Sequence, residues 1–335
     1  MRKKLFLLLT VVVAAGYLIG NYFVEFALKR GEDGSPPAAC ASIADPNLKA
    51  PPAPDADREV WTITSSDGLK LAADRFKPSE ESHRWALLVH GYGRDRSFAY
   101  DYAEAYLEHG WNVVTPDLRA AGESEGNYIT MGAKESDDLI GWIAMILKDD
   151  PQAEIILHGV SMGAATVMMA SAKDLPSNVK AVVEDCGYTS AYEMFGAQLK
   201  KLFGLPEFPI MKFVDVVSKL ETGVAVSEAA PLHAVGLTKV PMLFIHGDAD
   251  GLVPYEMMGR LVEASGAPIK ETWTVAGAGH ADAKPSNPAA YFERVFAFID
   301  RYVGNARKSV KNTGARSESK RLARITLASM NTARA

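Results

Sequence analysis

Residues 155–170 read IILHGVSMGAATVMMA, a buried-strand pattern followed by Gly-Val-Ser-Met-Gly and then by a run of helix-forming residues. Glycine at positions 159 and 163 allows the chain to turn sharply around Ser161, because side chains at those two positions would collide. The turn raises the serine above the edge of a sheet, at the N-terminus of a helix whose free amides favour negative charge. The stretch therefore predicts a nucleophilic serine at position 161.

Short apolar or β-branched runs alternate with helical patterns on both sides of this turn. Residues 59–64 and 69–75, joined by Ser66-Asp67-Gly68, predict an antiparallel hairpin. Further strands are predicted at 85–90, 112–115, 155–158, 181–184, 242–246 and 271–275, and helices at 100–108, 133–147, 164–172, 255–264 and 288–302. This alternation predicts an α/β fold with a mostly parallel sheet covered by helices on both faces.

A serine hydroxyl is a weak nucleophile near neutral pH, so it needs a general base and a group that orients the base. Residues 247–254 read GDADGLVP after one predicted strand, and residues 276–281 read AGAGHA after the next. His280 is the one histidine that follows both aspartates of the first loop, which makes it the predicted base. His90, His158 and His246 each precede a glycine at a strand end, where a histidine commonly satisfies backbone or loop hydrogen bonds.

The Gly-x-Ser-x-Gly turn and the order serine, aspartate, histidine resemble the α/β-hydrolase family. Residues 247–254 are similar to the Gly-x-x-Asp-x-x-Val-Pro signature of that family, in which the aspartate four residues before the proline is the catalytic acid. The resemblance implies that Asp250, rather than Asp248, orients His280. It also implies a small helical cap inserted before the strand at 242–246.

The oxyanion hole of such a site needs two backbone amides. Met162, the residue after the nucleophile, supplies the first. Residues 90–93 read HGYG and resemble the family's His-Gly-x-Gly loop, in which x donates its amide, so the resemblance implies Tyr92 as the second donor. Residues 116–124, PDLRAAGES, resemble a loop that is generally structural in the family, with Ala120 in place of a common glycine.

Residues 184–190, EDCGYTS, resemble one group of bacterial members that have an N-terminal membrane segment and a serine aminopeptidase-like or lysophospholipase-like hydrolase domain. The likeness covers residues 59–303 and implies hydrolysis of a small-molecule carboxylic ester through an acyl-enzyme, without a metal or organic cofactor. A peptidase or amidase with the same triad and a catalytically silent binding module remain alternatives. The cap, at about residues 189–238, has apolar content that favours an acyl group if it lines the entrance: Phe195, Leu199, Leu202, Phe203, Phe208, Met211 and Phe213.

Residues 1–30 predict a membrane anchor. Arg-Lys-Lys at 2–4 precedes an apolar run over residues 5–24, which is about the 20 residues that a membrane-spanning helix needs. The alternative is a signal peptide cleaved near Val-Ala-Ala at 13–15, but the run continues further than a signal requires. The positive charges before the run predict a cytoplasmic N-terminus and an extracytoplasmic hydrolase, which cleavage would release as a secreted enzyme.

The remaining segments complete the predicted organisation. Residues 31–57 are rich in Pro and Ala and predict a spacer, residues 58–304 form the hydrolase domain, and the basic residues 305–335 predict a disordered tail or a polybasic contact to an anionic surface. A formal net charge of -5 gives no argument for a nucleic-acid partner. Two cysteines, Cys40 and Cys186, form neither a disulfide framework nor a thiolate zinc site, and free thiols are predicted.

Overall fold

The computed structural model describes residues 2–43 and 49–304. Its helices are α1 (Arg2–Leu28), α2 (Cys40–Ile43), α3 (Tyr100–Glu108), α4 (Glu135–Asp149), α5 (Met162–Ser171), α6 (Ala191–Phe203), α7 (Glu207–Thr222), α8 (Pro231–Ala234), α9 (Glu256–Ala264), α10 (Ala283–Ser286) and α11 (Pro288–Ile299). Its strands are β1 (Asp57–Thr64), β2 (Lys70–Lys77), β3 (Arg84–Val89), β4 (Asn112–Pro116), β5 (Glu154–Val160), β6 (Val179–Asp185), β7 (Met242–Gly247) and β8 (Lys270–Val275). The predicted basic tail, residues 305–335, lies outside the described residues.

These strands form one sheet, whose order within the described residues is β1-β2-β4-β3-β5-β6-β7-β8. β1 pairs with β2, and β2 with β4, in antiparallel fashion, while every later pair is parallel. The predicted hairpin and the predicted mostly parallel sheet are therefore confirmed. Because β5 lies in the middle of the parallel part, the turn that carries Ser161 leaves the sheet at its centre.

Helices cover both faces of the sheet. Successive side chains of a strand point to opposite faces, so each face packs against a different set of helices. On β5, Leu157 belongs to a buried cluster that includes Trp142 of α4, whereas Ile156 belongs to a second cluster that includes Tyr106 of α3. Tyr291 of α11 also lies in the second cluster. Each face thus has its own hydrophobic core, and the loops at the C-terminal edge of the sheet are left to form the site.

The two halves of α1 have different surroundings. The apolar side chains of residues 5–13 are exposed, whereas Gly16, Gly20, Val24 and Leu28 are buried on one face at intervals of four residues. A Cβ at Gly16 would lie 2.7 Å from the ring of Phe213 in α7, so glycine allows the two helices to approach closely. Of the described helices, α1 is the one that is long and apolar enough to cross a membrane.

Part of the predicted spacer packs against the hydrolase body. Arg30, just before it, donates to the carbonyl oxygens of Ser124 at 2.8 Å and Gly122 at 2.6 Å. Cys40 is buried and lies so close to Gly93 that a Cβ there would approach its sulfur to 2.4 Å. Within the predicted spacer, burial of Cys40 and a hydrogen bond from the amide of Ala39 to the carbonyl oxygen of Phe26 therefore hold this part of the segment in place. Both cysteines are buried free thiols, as predicted.

Candidate active site

Ser161 lies in the sharp turn between β5 and α5, with a φ of 57° and a ψ of -117°. A positive φ is strained for a residue with a side chain and persists where the surroundings enforce it. A Cβ at Gly159 would lie 2.2 Å from the carbonyl oxygen of Gly163, and a Cβ at Gly163 would lie 2.1 Å from that of Val89. The two glycines thus let the turn close, and the serine stands at the C-terminal edge of the sheet.

We expect Gly163→Ala to destabilise the protein by about 1–3 kcal/mol. The added methyl group would meet the backbone of β3, so either β3 or the turn around Ser161 must shift. Gly259→Ala in α9 is the matched control, since no atom of the described residues beyond its chain neighbours and the backbone of its own helix lies within 4 Å of a Cβ there. That control should leave stability unchanged or raise it by up to about 1 kcal/mol. Thermal unfolding of both variants in one detergent measures the difference, and equal midpoints would contradict the steric argument.

His280 connects Ser161 to Asp250. Its Nε2 lies 2.8 Å from the Ser161 hydroxyl oxygen, and its Nδ1 lies 2.8 Å from Oδ2 of Asp250. The carboxylate can only accept, so Nδ1 carries the proton and Nε2 is free to accept the proton of the serine hydroxyl. The side chain of Asp250 is fully buried, while that of His280 is 19% exposed. The three residues predicted to work together are therefore brought into one hydrogen-bonded chain.

The carboxylate of Asp250 is surrounded by donors. Its Oδ1 accepts from the backbone amides of Leu252 at 2.8 Å and Val253 at 2.9 Å, and its Oδ2 also lies 3.2 Å from Nε2 of His246. Burial opposes ionisation, but hydrogen bonds from His246 and His280 outweigh it and lower the pKa of Asp250 well below its usual range. Asp250 is thus held ionised where it faces the imidazole of His280.

His246 makes the predicted backbone hydrogen bond and, in addition, one contact with a carboxylate. Its Nε2 does lie 3.1 Å from the carbonyl oxygen of Val253, but the same atom also faces the carboxylate of Asp250. Since the carbonyl accepts only, Nε2 carries a proton and can donate to the carboxylate as well. In the sequence, the one indication of this contact is that His246 and Asp250 are four residues apart at the end of β7.

Asp248, the alternative acid, has a different partner. Its Oδ1 accepts from the backbone amide of Gly277 at 2.6 Å and so joins the loop after β7 to the loop after β8. In the described structure, the aspartate that contacts His280 is Asp250. The geometry therefore favours Asp250 as the orienting residue and Asp248 as a carboxylate that holds the two loops together.

The two predicted oxyanion donors belong to segments that adjoin Ser161. Met162 is the first residue of α5, where backbone amides have no intrahelical partner. Tyr92 lies in the loop after β3, and at the neighbouring Gly91 a Cβ would be 3.4 Å from Cβ of Ser161. The hydroxyl of Tyr92 donates to the carbonyl oxygen of Ala27 in α1 at 2.6 Å, and Tyr92 lines the same cavity as Ser161 and His280.

Other histidines at strand ends are structural. His90 accepts from the amide of Leu118 through Nε2 at 3.1 Å, and its Nδ1 lies 2.8 Å from the carbonyl oxygen of the next residue. His158 lies between the hydroxyls of Tyr106, at 3.1 Å, and Tyr291, at 3.0 Å. Burial lowers the pKa of His158 to about 3, so it is neutral at physiological pH. The predicted backbone role fits His90, whereas His158 bonds side chains.

Two adjacent acids, Glu184 and Asp185, end β6 beneath the site, and both are fully buried. Burial raises the pKa of Glu184 to about 8 and that of Asp185 to about 6. Glu184 accepts from the amide of Gly187 at 3.0 Å, and Asp185 accepts from the hydroxyl of Tyr291 at 2.9 Å, while its carbonyl oxygen accepts the amide of Ser161 at 2.8 Å. Glu184 is therefore largely neutral near pH 7, and β6 supports the turn from below.

Cys186, Asp250 and His280 are all residue types that can bind a metal, and they lie close together. Ligand atoms of Cys186, Asp250 and His280 lie within 4.8 Å of one another. Burial raises the pKa of the thiol well above its ordinary value, which keeps it protonated, and the other two groups bond each other. A metal needs the thiolate and free lone pairs, so this arrangement fits an acid–base pair beside a neutral thiol.

A cavity of about 560 Å³ opens next to Ser161 and His280. Of the apolar cap residues singled out in the sequence, those that line it are Phe195, Leu199, Leu202, Phe203 and Met211. Phe208 instead is 74% exposed, and Phe213 packs on α1. The volume falls within the range of about 300–1,000 Å³ that is common for small-molecule sites. The cavity is therefore large enough to hold an organic substrate against the serine.

Comparisons with known proteins agree with this architecture. Residues 86–209 match a family model described as alpha/beta hydrolase fold. The uncharacterized protein YqkD of Bacillus subtilis is 26% identical over 245 residues, which are 73% of this chain and 80% of that protein. A monoacylglycerol lipase of Mycolicibacterium smegmatis is 24% identical over 237 residues, 62% of this chain and 84% of that enzyme.

Solved structures show the same likeness. The esterase Pf2001 of Pyrococcus furiosus superposes with a TM-score of 0.63 at 25% sequence identity, covering 78% of this chain and 98% of its own. The comparison thus extends beyond the nucleophile turn to most of the described body.

Proposed function

Since this chain has the α/β-hydrolase fold, we propose that it is a serine hydrolase that cleaves carboxylic esters through an acyl-enzyme. The observation that supports the proposal most strongly is the hydrogen-bonded chain from Ser161 through His280 to Asp250, with 2.8 Å at each contact. Its three members come from loops far apart in the sequence, and a nucleophile, base and orienting acid are what acyl transfer requires.

In the first half-reaction, the hydroxyl oxygen of Ser161 attacks the ester carbonyl carbon while Nε2 of His280 takes the hydroxyl proton. The resulting oxyanion accepts hydrogen bonds from the backbone amides of Met162 and Tyr92. The carbon–oxygen bond to the alcohol then breaks, and the proton on Nε2 passes to the departing oxygen. Asp250 stays ionised and stabilises the imidazolium that forms between these steps.

In the second half-reaction, water takes the place of the alcohol. His280 removes a proton from the water, the hydroxide attacks the acyl carbon, and the bond to Ser161 breaks as the serine oxygen is reprotonated. The products are a carboxylic acid and an alcohol, and the enzyme returns to its starting state. Apart from the ester and water, every group that acts in these steps belongs to this chain.

The apolar character of the cavity supports an ester with a hydrophobic acyl group. Residues of α6 and α7 that line it are mostly Phe, Leu, Met and Val, and such a surface gains free energy by covering hydrocarbon. Similar proteins named as an esterase and as a monoacylglycerol lipase point to the same class of substrate. These similarities are support for the proposal rather than an assignment of substrate.

We further propose that α1 anchors the enzyme in a membrane. The exposed side chains of residues 5–13 are apolar and would be costly to leave in water. Three positive charges at residues 2–4 favour a cytoplasmic N-terminus and an extracytoplasmic hydrolase. Membrane fractions of cells that produce the full chain should retain it after a carbonate wash, and release of a shorter protein would favour signal cleavage.

The choice between ester and amide can be tested with paired substrates that share one acyl group. We expect p-nitrophenyl butyrate to be hydrolysed with a kcat/KM at least about 10²-fold above that for butyryl p-nitroanilide, because amide cleavage depends on protonation of a poor leaving group in the transition state. Both reactions release a coloured product and are compared in the same detergent. Similar values for the two substrates would favour a peptidase or amidase, and no turnover of either would favour a silent binding module.

A further inference from the structure

The second half of α1 forms part of the cavity wall. Phe23, Phe26 and Ala27 line the same space as Ser161 and His280. Phe23 and Phe26 are partly buried. The helix that the sequence marks as a membrane segment therefore contributes side chains to the candidate active site.

Aromatic contacts join this wall to the cap. The ring of Phe203, at the end of α6, meets Phe23 edge to face at 5.4 Å between centroids and Phe26 at 5.7 Å. Such ring contacts add more stability than the burial of their apolar area alone would provide. Phe203 also lines the cavity, so cap and helix form one continuous apolar surface.

Hydrogen bonds fix the end of α1 relative to the nucleophile. The last carbonyl groups of a helix have no intrahelical partner. Here the carbonyl oxygen of Ala27 accepts from the hydroxyl of Tyr92 at 2.6 Å, and that of Phe26 accepts from the amide of Ala39 at 2.9 Å. Because Tyr92 belongs to the loop beside Ser161, this wall has a defined position in the site.

The other end of the same helix is suited to lipid. Residues 5–13 expose large apolar side chains, and the neighbouring cap helices expose further ones, including Phe208, Val216 and Leu220. At about 1.5 Å per residue, a hydrocarbon core of about 30 Å that begins at Leu5 ends near Val24. A bilayer that α1 crosses would then lie close to the cavity.

We propose that the second half of α1 is a specificity-determining wall of the acyl pocket, and that the substrate is an acyl ester carried in a lipid bilayer. The inference rests on the proposed function, since it requires an ester to be hydrolysed. The acyl chain lies against Phe23, Phe26 and Ala27 while its ester carbonyl reaches Ser161. The membrane segment thus selects the substrate as well as holding the enzyme at the membrane.

The test uses the full chain in detergent micelles. The substrates are p-nitrophenyl esters whose acyl chains have from about 2 to about 16 carbons. Ala27→Trp adds bulk to the wall and is expected to lower kcat/KM for the longest esters at least about 10-fold while changing the acetate less than about threefold. Ala14→Trp is the matched control, because Ala14 lies on the same helix and is exposed. We expect its chain-length profile to equal that of the wild type.

A second variant protects the test against misfolding. Phe23→Ala removes bulk from the wall and is expected to move the preferred chain length upwards by at least two carbons, in the direction opposite to Ala27→Trp. Chain-length profiles of Ala27→Trp and Phe23→Ala that match Ala14→Trp, or a uniform loss at every chain length, would overturn the proposal. A wild type that hydrolyses no ester would instead contradict the proposed function, and labelling rates with alkyl fluorophosphonates of the same lengths would then decide on the wall.

Discussion

Ser161→Ala is expected to lower kcat/KM for p-nitrophenyl butyrate by about 10⁵–10⁶-fold, to the level left by binding and the oxyanion donors. The substitution removes the atom that attacks the carbonyl and leaves His280 with no proton to take. Alanine retains the positive φ strain of the turn and fits within the space that the serine occupies, so the fold should be preserved. Ester turnover together with labelling by a fluorophosphonate probe measures the effect.

Ser66→Ala serves as the control for that experiment, because Ser66 is an exposed residue of the turn between β1 and β2. It should keep both turnover and labelling at wild-type levels. Circular dichroism and the thermal midpoint of Ser161→Ala should match those of the wild type. Ester hydrolysis that survives in Ser161→Ala at more than about a hundredth of the wild-type rate would remove this serine from its proposed role.

Asp250→Asn is expected to lower kcat about 10⁴-fold while leaving the geometry of the loop intact. The amides of Leu252 and Val253 need an acceptor, so the oxygen of the new asparagine takes the place of Oδ1. Its NH₂ group then faces Nδ1 of His280 and Nε2 of His246, where the carboxylate now accepts. A donor in that place favours the tautomer of His280 whose Nε2 carries a proton and cannot act as a base.

Asp248→Asn is the matched control, with the same change two residues away. Its retained oxygen can still accept from the amide of Gly277, so we expect kcat to stay within about threefold of the wild type. Steady-state rates for the two variants, measured at several pH values, distinguish the two aspartates. A larger loss in Asp248→Asn than in Asp250→Asn would reverse their roles.

Local patterns made the sheet and the nucleophile turn predictable. The turn around Ser161 was predictable because it has a glycine on each side, a strand before it and a helix after it. This combination is typical of few other turns. The eight strands could be read because buried parallel strands are short apolar runs separated by helical patterns. His280 followed from chain order, and Asp250 from resemblance to a signature.

Contacts between distant segments could not be read in the same way. The contact of His246 with Asp250 depends on how the loop after β7 folds back, which strand periodicity does not report. The packing of α1 on α7 depends on Gly16 and Gly20 meeting Phe213, and small residues in an apolar run are equally compatible with a helix surrounded by lipid. Composition in residues 31–57 indicates a spacer, whereas Cys40 within that segment is buried against Gly93, and the amide of Ala39 donates to the carbonyl oxygen of Phe26.

The hydrogen bond between Tyr92 and Ala27 bears on how this enzyme is prepared. A soluble form that starts at residue 58 would lack the acceptor for the Tyr92 hydroxyl and would leave Phe203 and Phe213 facing water. We expect such a truncated protein to aggregate or to show weakened turnover even when Ser161, His280 and Asp250 are all present. Purification of the protein with α1 retained, in micelles or nanodiscs, would preserve these contacts.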